Sequence, residues 1–321
     1  MTEKWRVLLP NQIDPAGPNS IVDIAEFETV SDYGTDSADL VPVIGDFDAI
    51  ILRAAQLDRA VIEATDRLKV ISKHGVGLDN VDIGAASERG IIVCNTPGVN
   101  SRTVAEGAFT LLLATRRNSI QADEAVRNGN WDARADWDRF CRHTIEDDTL
   151  GLFGFGDIAR ETARMALGLG MDCVTYDPYI DDEALLEGVS RVSEKGDLFE
   201  RADVVSVHTP LTEGTHHAIG RDELREIDYV VNTARGGVID EEALLKELRD
   251  GDLITAGLDV LEREPPAADS PLLDRDDVVL TPHFAGLSVE STHQMSTGAA
   301  ENVRTVYNGG VPDSIVNEDA L

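Results

Sequence analysis

Short apolar runs of strand length alternate with helical stretches along most of this chain, and this alternation constrains the fold more than any other feature. Runs typical of strands cover residues 6–9, 48–52, 69–73 and 91–94, with helical patterns at 58–67 and 81–89. A second series of strands follows at 149–153, 173–176, 204–207, 229–232, 254–258 and 278–280. Strands that alternate with helices form parallel sheets, because a parallel connection must cross over the sheet. An α/β protein is therefore expected, and 321 residues suit two domains.

Three further stretches are longer or less regular. Thr103-x-x-Glu106 has the pattern of a capping box and predicts a long helix to about residue 117, apolar on nearly every side at 108–114. Residues 118–148 are polar and contain Trp131, Trp137 and Phe140, which favours an arm or interface element over a free loop. Residues 289–307 are predicted to form a final helix.

Composition excludes several classes of protein. The chain has 60 acidic and 28 basic residues, a formal net charge of -32, which disfavours binding to nucleic acid or anionic membranes. No apolar run approaches the roughly 20 residues of a membrane span, and no signal peptide is recognisable. Cys94, Cys141 and Cys173 are widely spaced. They indicate a reducing cytoplasm and three small buried hydrophobes rather than disulfides or a zinc site.

A glycine-rich loop predicts a dinucleotide site. Gly154-x-Gly156-x-x-Ala159 follows the apolar run 149–153 and opens a helix at 158–169, and Asp177 stands 21 residues after Gly156. Gly154 suits a tight turn, Gly156 lets the backbone approach a pyrophosphate, and Ala159 allows close packing of helix on strand. The helix N-terminus favours the phosphate charge. Asp177 suits ribose hydroxyls and would repel a 2′-phosphate, which favours NAD over NADP. The alternative is a tight turn in an α/β domain that binds no ligand.

Four more motifs stand at the carboxyl ends of predicted strands, where open α/β sheets build their sites. They are His208-Thr-Pro-Leu, Asn232-Thr-Ala-Arg235-Gly-Gly, Gly257-Leu-Asp259-Val-Leu-Glu-Arg-Glu264-Pro and Thr281-Pro-His283. Together with the glycine loop they resemble the D-isomer-specific 2-hydroxyacid dehydrogenases, most of all the short phosphoglycerate-dehydrogenase-like members. The resemblance runs from about residue 48 to residue 302.

The resemblance implies a catalytic triad. Arg235 would bind the substrate carboxylate and polarise the C2 oxygen, a task that suits its planar fork of donors. His283 would be the general acid–base, and Glu264 would hold the other imidazole nitrogen and favour the protonated ring. Taken singly, Arg235 could be a surface ion pair and His283 an ordinary loop histidine.

The resemblance also implies binding residues. Asp259 matches the residue that hydrogen-bonds the nicotinamide amide, Thr209 and Pro210 would line the adenosine side, and Thr233 and Gly286 would lie nearer the nicotinamide. The full cofactor set is Val76, Gly154, Phe155, Gly156, Asp157, Ile158, Asp177, His208, Thr209, Pro210, Thr233, Ala234, Asp259 and Gly286. The substrate set is Arg53, Lys73, Gly75, Val76, Gly77 and Asn100. Lys73 is one of only five lysines; it is either an ordinary solvated lysine or a dedicated contact for an anionic substrate.

Two doubly wound, Rossmann- or flavodoxin-like parallel-sheet domains are therefore expected, with a cleft between them. The substrate-binding domain would comprise residues 1–99 plus 287–321, and the NAD-binding domain residues 100–286. A homodimer is expected, as in the family. No metal is expected, because the adjacent His216 and His217, with His208 nearby, should point apart and no Cys or carboxylate completes a site.

The expected activity is hydride transfer between NAD(H) and a D-2-hydroxy acid, with 3-phosphoglycerate favoured. A glyoxylate/hydroxypyruvate reductase is the alternative, because Phe-Ala-Gly-Leu-Ser after His283 departs from the small residues of phosphoglycerate-type members. An NAD-sensing interaction protein, like the C-terminal-binding-protein corepressors, is a different class of alternative. It is disfavoured because the chain ends a few residues after its last helix. The ending at Leu321 also argues against a regulatory extension.

The net charge generates a prediction about salt. Excess negative charge spread along a chain destabilises the compact state unless ions screen it, as in halophilic proteins. The screening length falls from about 10 Å at 0.1 M salt to about 3 Å at 1 M. Circular dichroism and activity should therefore decline together during dialysis from high to low salt. Full folding and activity without added salt would contradict a halophilic origin.

Overall fold

The computed structural model describes residues 3–29 and 35–321, and the chain divides into two compact units. The first unit comprises Met1–Asn100 and Leu287–Leu321, and the second comprises Ser101–Gly286. Each unit has its own parallel sheet with helices on both faces, so the predicted pair of doubly wound α/β domains is confirmed.

The first unit contains a five-stranded sheet in the order β2-β1-β3-β4-β5. Its strands are β1 (Trp5–Leu9), β2 (Ala25–Thr29), β3 (Ala49–Leu52), β4 (Val70–Lys73) and β5 (Ile92–Cys94). All pairs are parallel. Successive residues of β3 enter separate apolar clusters on the two faces, which explains why this central strand is one continuous apolar run. The sequence reading missed β2, an edge strand in which only Ala25 is buried.

The second unit contains a seven-stranded sheet in the order β12-β11-β10-β9-β6-β7-β8. Its strands are β6 (Thr149–Phe153), β7 (Asp172–Tyr176), β8 (Val189–Arg191), β9 (Val204–Val207), β10 (Tyr229–Asn232), β11 (Thr255–Leu258) and β12 (Val278–Leu280). All six pairings are parallel. The order of strands reverses between β6 and β9, a position where open α/β sheets bind ligands. The missed strand, β8, is a three-residue edge strand with one buried residue.

Helices connect the strands in chain order. They are α1 (Ala16–Ser20), α2 (Ser37–Leu40), α3 (Arg59–Glu63), α4 (Ile83–Glu88), α5 (Ser101–Arg117), α6 (Ser119–Arg127), α7 (Trp137–Phe140), α8 (Asp157–Gly168), α9 (Lys195–Arg201), α10 (Arg221–Leu224), α11 (Glu241–Asp250) and α12 (Val289–Tyr307). The final helix has the predicted bounds. α3 is shorter than the predicted 58–67: it ends at Glu63, and Arg67 beyond it binds the buried carboxylate of Asp48 at 2.8 Å.

Helix α5 begins earlier than the capping-box pattern suggested. It already includes Ser101, so Thr103 lies inside the helix and is not its N-cap. The helix packs against α8 and against strands β10, β11 and β12. Contact with the segment after β12 is tight, because a Cβ on Gly107 would lie 2.6 Å from the Cβ of Ala285. The prediction that this apolar helix is buried on all sides was too strong, because Leu113 is 40% exposed.

Residues 118–148 form α6, a 3₁₀ turn at Trp131–Ala135, α7 and connecting turns. The indoles of Trp131 and Trp137 are mostly solvent-exposed. This segment adds no strand to the sheet of the second unit, which agrees with its description as an arm. A homodimer interface on this arm stays a prediction.

The prediction that the three cysteines are buried is confirmed for two of them. Cys94 and Cys173 are buried, and burial raises the pKa of each thiol to about 12. Cys141 is exposed in the arm, so its prediction as a buried hydrophobe was wrong. Across residues 3–29 and 35–321, no helix combines the length and apolar character needed to cross a membrane.

Candidate active site

The glycine loop leads from β6 into α8. Gly154 has φ of +96°, and a Cβ there would lie 2.8 Å from the carbonyl oxygen of His208, so only glycine fits. Gly156 is the N-cap of α8, and a Cβ on it would enter open space. A side chain at Gly156 would occupy the space that faces the helix N-terminus, where a pyrophosphate binds in such loops. Ala159 is fully buried against the sheet, as its small size predicted.

Asp177 closes this loop from the end of β7. One carboxylate oxygen accepts from the Phe155 N–H at 2.8 Å, and the other accepts from the Tyr179 N–H at 2.9 Å. The carboxylate is thereby oriented beside the loop, and its contact with a ribose stays a prediction. The structure corrects one detail, because the Phe155 side chain is fully buried in the core. Phe155 can therefore face a cofactor only through its main chain. Asp157 and Ile158 form the first turn of α8.

The neighbouring strands present partnerless polar atoms near the same edge of the sheet. His208 follows β9, and its buried Nε2 has no hydrogen-bond partner among the described residues. Burial lowers the pKa of His208 to about 3, so the ring is neutral. The buried Thr233 hydroxyl after β10 is likewise unbonded within the described chain. Thr209 is partly buried and Pro210 is exposed. These atoms and the open Gly156 cradle fit a bound dinucleotide.

Arg235 stands at the start of a 3₁₀ turn, Gly236–Val238, directly after β10. The buried Asn232 shapes this turn: its Oδ1 accepts from the Ala234 N–H at 3.0 Å, and its Nδ2 donates to the Arg235 carbonyl at 2.9 Å. The guanidinium donates to the Ala234 carbonyl at 2.6 Å. The predicted carboxylate-binding residue is therefore held by its own turn at the carboxyl edge of the sheet.

Asp259, after β11, is 2% exposed and holds the segment that follows β12. Its Oδ1 accepts from the Thr281 hydroxyl at 2.6 Å and from the Phe284 N–H at 2.9 Å, and its Oδ2 accepts from the Ala285 N–H at 2.9 Å. The resemblance had assigned this carboxylate to the nicotinamide amide. In the structure both oxygens accept hydrogen bonds from the chain itself, so its visible role is to shape the loop between Thr281 and Gly286. Contact with nicotinamide stays a prediction.

His283 and Glu264 form the central pair of the site, with Nδ1 of the ring 2.7 Å from Oε2 of the carboxylate. The hydrogen bond that His283 donates to the Glu264 carboxylate raises the pKa of the ring above its ordinary value, against the effect of burial. Burial opposes ionisation of Glu264, but the hydrogen bond and charge of His283 outweigh it and lower the pKa of that carboxyl. Arg235 is near enough for its charge to lower the pKa of both groups. The structure thus brings the three predicted catalytic residues together.

The predicted substrate residues lie in the first unit. Asn11 Oδ1 accepts from three successive N–H groups, those of Arg53, Ala54 and Ala55, and the Arg53 side chain is exposed. Lys73 is only 9% exposed, and its ammonium donates to the Arg53 carbonyl at 2.6 Å and to Asn80 Oδ1 at 2.7 Å. The alternative of an ordinary solvated lysine is therefore wrong. What the structure shows is a buried cation that supports the Arg53 turn, and direct contact with substrate stays a prediction.

The glycine segment after β4 and the Asn100 side chain complete this set. Gly75 has φ of +135°, and its N–H donates to Thr96 Oγ1 at 3.1 Å. Val76 is 40% exposed, and Gly77 follows it in the same turn. Asn100 Oδ1 is buried without a hydrogen-bond partner in the described part of the chain. Backbone N–H groups at such a turn can receive an anion, but their role here stays a prediction.

The predicted separation of His216 and His217 was wrong. The rings of His216 and His217 do not point apart but stack, with centroids 3.9 Å apart. Carboxylates are also present, since His217, Asp240 and Glu262 offer ligand atoms within 4.8 Å of one another. Both carboxylates already accept backbone hydrogen bonds, Asp240 as the N-cap of α11 and Glu262 from the Glu241 N–H. The sequence reading missed Glu262, whose only signal was an acid two residues before Glu264.

Comparisons with known proteins agree with this geometry. Residues 109–285 match the family model described as D-isomer specific 2-hydroxyacid dehydrogenase, NAD binding domain. The chain is 38% identical over 325 residues to a glyoxylate reductase of Korarchaeum cryptofilum, covering 99% of this chain and 97% of that protein.

The chain belongs to the D-isomer specific 2-hydroxyacid dehydrogenase family.

Two further proteins that are similar to this chain differ from each other in length and in the activity that their names give. A D-3-phosphoglycerate dehydrogenase of Methanocaldococcus jannaschii is 37% identical over 317 residues, but the chain spans only 59% of its length. An NADPH-dependent glyoxylate/hydroxypyruvate reductase of Sinorhizobium meliloti, solved with NADP and malonate, superposes with a TM-score of 0.86 at 29% identity and 98% coverage of both chains. The second unit therefore contains the NAD-binding domain of this family.

The Glu264–His283 pair generates a prediction for this dehydrogenase-family protein. Glu264→Gln removes the charge that raises the His283 pKa, so that pKa should fall. With His283 as the predicted general acid, reduction of a keto acid would require the protonated ring, and activity would be lost as pH rises through this pKa. The alkaline limb of the kcat/KM profile should therefore move to lower pH by roughly one unit or more. Glu242→Gln, at an exposed position of α11, is the control. An unmoved limb in Glu264→Gln would show that the pair is not coupled.

Proposed function

We propose that this protein is a dehydrogenase that transfers a hydride between NAD(H) and the C2 atom of a D-2-hydroxy acid. The observation that carries the proposal is the 2.7 Å pair of His283 and Glu264 close to Arg235. An acid–base imidazole with a raised pKa beside a guanidinium is suited to protonate the oxygen of a carbonyl that lies next to a carboxylate while nicotinamide supplies the hydride.

In the proposed reaction, the chain binds and orients the substrate and moves a proton. Arg235 binds the substrate carboxylate through its fork of donors and polarises the C2 oxygen. In the reductive direction, the protonated His283 gives a proton to that oxygen, and Glu264 stabilises the ring in the correct orientation. In the oxidative direction, neutral His283 takes the hydroxyl proton. Nicotinamide, when bound, supplies or accepts the hydride.

For the substrate, we propose 3-phosphoglycerate, with glyoxylate and hydroxypyruvate as the alternative. Similarity to the Methanocaldococcus enzyme supports the first, although the chain spans 59% of that protein. Similarity to the Korarchaeum enzyme over 97% of its length supports the second, as do the residues Phe284 and Leu287 in the stretch after His283. Both substrate classes carry the carboxylate that Arg235 would bind, so the triad does not distinguish them.

For the cofactor, we propose NAD rather than NADP. Asp177 is fixed beside the glycine loop by the Phe155 and Tyr179 N–H groups, and a 2′-phosphate placed there would meet a negative charge. Pro178, Tyr179 and Ile180 follow it in sequence and bring no cation. The NADPH-dependent relative shows that the family contains both preferences, so this choice rests on the loop itself.

The proposed function is tested by a substrate panel. Hydroxypyruvate, glyoxylate and pyruvate are assayed with NADH and NADPH, and 3-phosphoglycerate and D-lactate with NAD and NADP. His283→Ala should lower turnover of the best substrate by roughly 100- to 10,000-fold, the usual contribution of a general acid–base. NADH binding, measured by fluorescence, should survive. A loss of turnover below about threefold would remove His283 from the mechanism, and no turnover of any panel member by the wild type would refute the proposed activity.

Cofactor preference is tested at Asp177. Asp177→Ala should raise the KM for NADH on the order of tenfold, because a charged hydrogen-bond acceptor is lost. The KM for NADPH should stay unchanged or fall. Asp177→Asn is the matched variant: it keeps an acceptor for one loop N–H but removes the charge, so it should relieve the repulsion of NADPH with less damage to the loop. A wild type that already prefers NADPH would overturn the assignment.

A further inference from the structure

We propose that Glu262 is a positioning residue of the active site and that, paired with His217, it holds the Arg235 turn against the segment carrying Glu264. This inference rests on the proposed function, because it depends on the roles given to Arg235 and Glu264. Glu262 acts through the main chain that connects the Arg235 turn with Leu261 and Glu264.

Glu262 joins three segments that are distant in sequence. Its Oε1 lies 2.6 Å from Nε2 of His217, in the turn after β9. The same oxygen accepts from the N–H of Glu241, at the start of α11, at 3.2 Å. The exchange is reciprocal, because the Glu262 N–H donates to Oε1 of Glu241 at 2.6 Å. One carboxylate thus ties the His217 turn and the N-terminus of α11 to residues 261 and 262.

The Arg235 turn rests directly on this junction. A Cβ on Gly236 would lie 1.9 Å from the carbonyl carbon of Leu261 and 2.3 Å from the nitrogen of Glu262, so the two backbones are in contact. The next residue, Gly237, accepts from the N–H of His217 at 2.8 Å. The turn that carries Arg235 is therefore held from two sides, by the Leu261–Glu262 peptide and by His217.

The same junction reaches the acid–base pair. The Leu261 N–H donates to Oε1 of Glu264 at 3.1 Å, while Oε2 of Glu264 holds His283. Leu261 therefore contacts the Arg235 turn with its carbonyl group and orients Glu264 with its N–H. A displacement of Leu261 would move both, and misplacement of a reacting group by about 1 Å can cost on the order of 100-fold in rate.

His217 adopts a conformation that serves this contact. Its φ is +53°, in the left-handed region that few residues other than glycine occupy. In this conformation its N–H binds Gly237 while its imidazole reaches Glu262 and stacks on His216. A backbone outlier held by specific contacts is a common feature of functional sites.

The test compares Glu262→Ala with Glu262→Gln. The alanine variant loses both accepted hydrogen bonds, and the KM for the keto acid should rise on the order of 10- to 100-fold, with a smaller fall in kcat. The glutamine variant keeps an oxygen that can accept from His217 and from Glu241, so its KM should stay within about threefold of wild type. NADH affinity should fall less than affinity for the keto acid, because the glycine loop and Asp177 are separate from this junction.

Two further variants separate positioning from stability. Glu88→Ala removes an ion pair of 2.7 Å with Arg59 in the first unit and should leave KM unchanged. His217→Asn tolerates the left-handed backbone but is too short to reach Glu262. It should reproduce part of the KM effect, and adding Glu262→Ala to it should have less effect than in wild type, because the two residues act as a pair.

Binding of oxamate, an unreactive 2-keto acid analogue, to the NADH complex gives a readout that needs no turnover. Calorimetry should show weaker oxamate binding in Glu262→Ala and rescue in Glu262→Gln. Lower thermal stability with unchanged KM and oxamate affinity would reduce Glu262 to a structural residue and overturn the inference. If the wild-type protein reduces keto acids and Glu262→Ala keeps the same KM and oxamate affinity, this inference fails and the proposed function stands. A wild type that neither reduces keto acids nor binds oxamate defeats the proposed function and this inference together.

Discussion

The buried carboxylate of Asp259 accepts three hydrogen bonds from residues 281, 284 and 285, and the position of His283 depends on them. A buried charge is costly unless donors surround it. The donors here come from a segment without regular structure, in which His283 has a φ of +50°. The desolvated charge and the loop therefore determine each other: the loop satisfies Asp259, and Asp259 holds the loop in the one conformation that directs His283 toward Glu264. The Glu264–His283 pair therefore depends on the hydrogen bonds that Asp259 accepts as well as on its own two side chains.

Parallel pairing brings the remaining parts of the site to one edge. Strands β6, β9, β10, β11 and β12 all run in the same direction, and each ends where one site segment begins. Those segments begin at Gly154, His208, Thr233, Asp259 and Thr281. Residues far apart in the chain therefore meet without long loops, and the switch in strand order between β6 and β9 leaves room beside the glycine loop. The all-parallel sheet also requires helices on both faces, so its central strands β9, β10 and β11 are buried along their whole length and mostly apolar.

That apolar continuity explains which elements the sequence could reveal. Central strands such as β3 and β10 are buried along their whole length and are recognisable as apolar runs. The edge strands β2 and β8 bury one residue each and give no such signal. The triad could be predicted because its motifs resemble those of a known family, in the same order and each after a predicted strand. The junction at Glu262 was not, since its partners His217 and Glu241 lie in other segments and meet it only because Gly236 allows two backbones to touch. The two alternatives for Lys73 stayed open because no local pattern shows that a lysine at the end of β4 turns inward toward Asn80.

The charges around His283 complete the description of the site. The hydrogen bond and charge of Glu264, together with the charge of Asp259, raise the pKa of the ring, whereas burial and the positive charge of Arg235 lower it. Under the proposed function, a keto acid carboxylate would bind Arg235 and neutralise its charge. Because Arg235 opposes protonation of His283, that neutralisation would raise the pKa of the ring further. The substrate anion would thus favour the protonated imidazole, which is the form that must give a proton to the C2 oxygen during reduction. In this arrangement Arg235 would both hold the substrate and couple its arrival to the protonation state of His283.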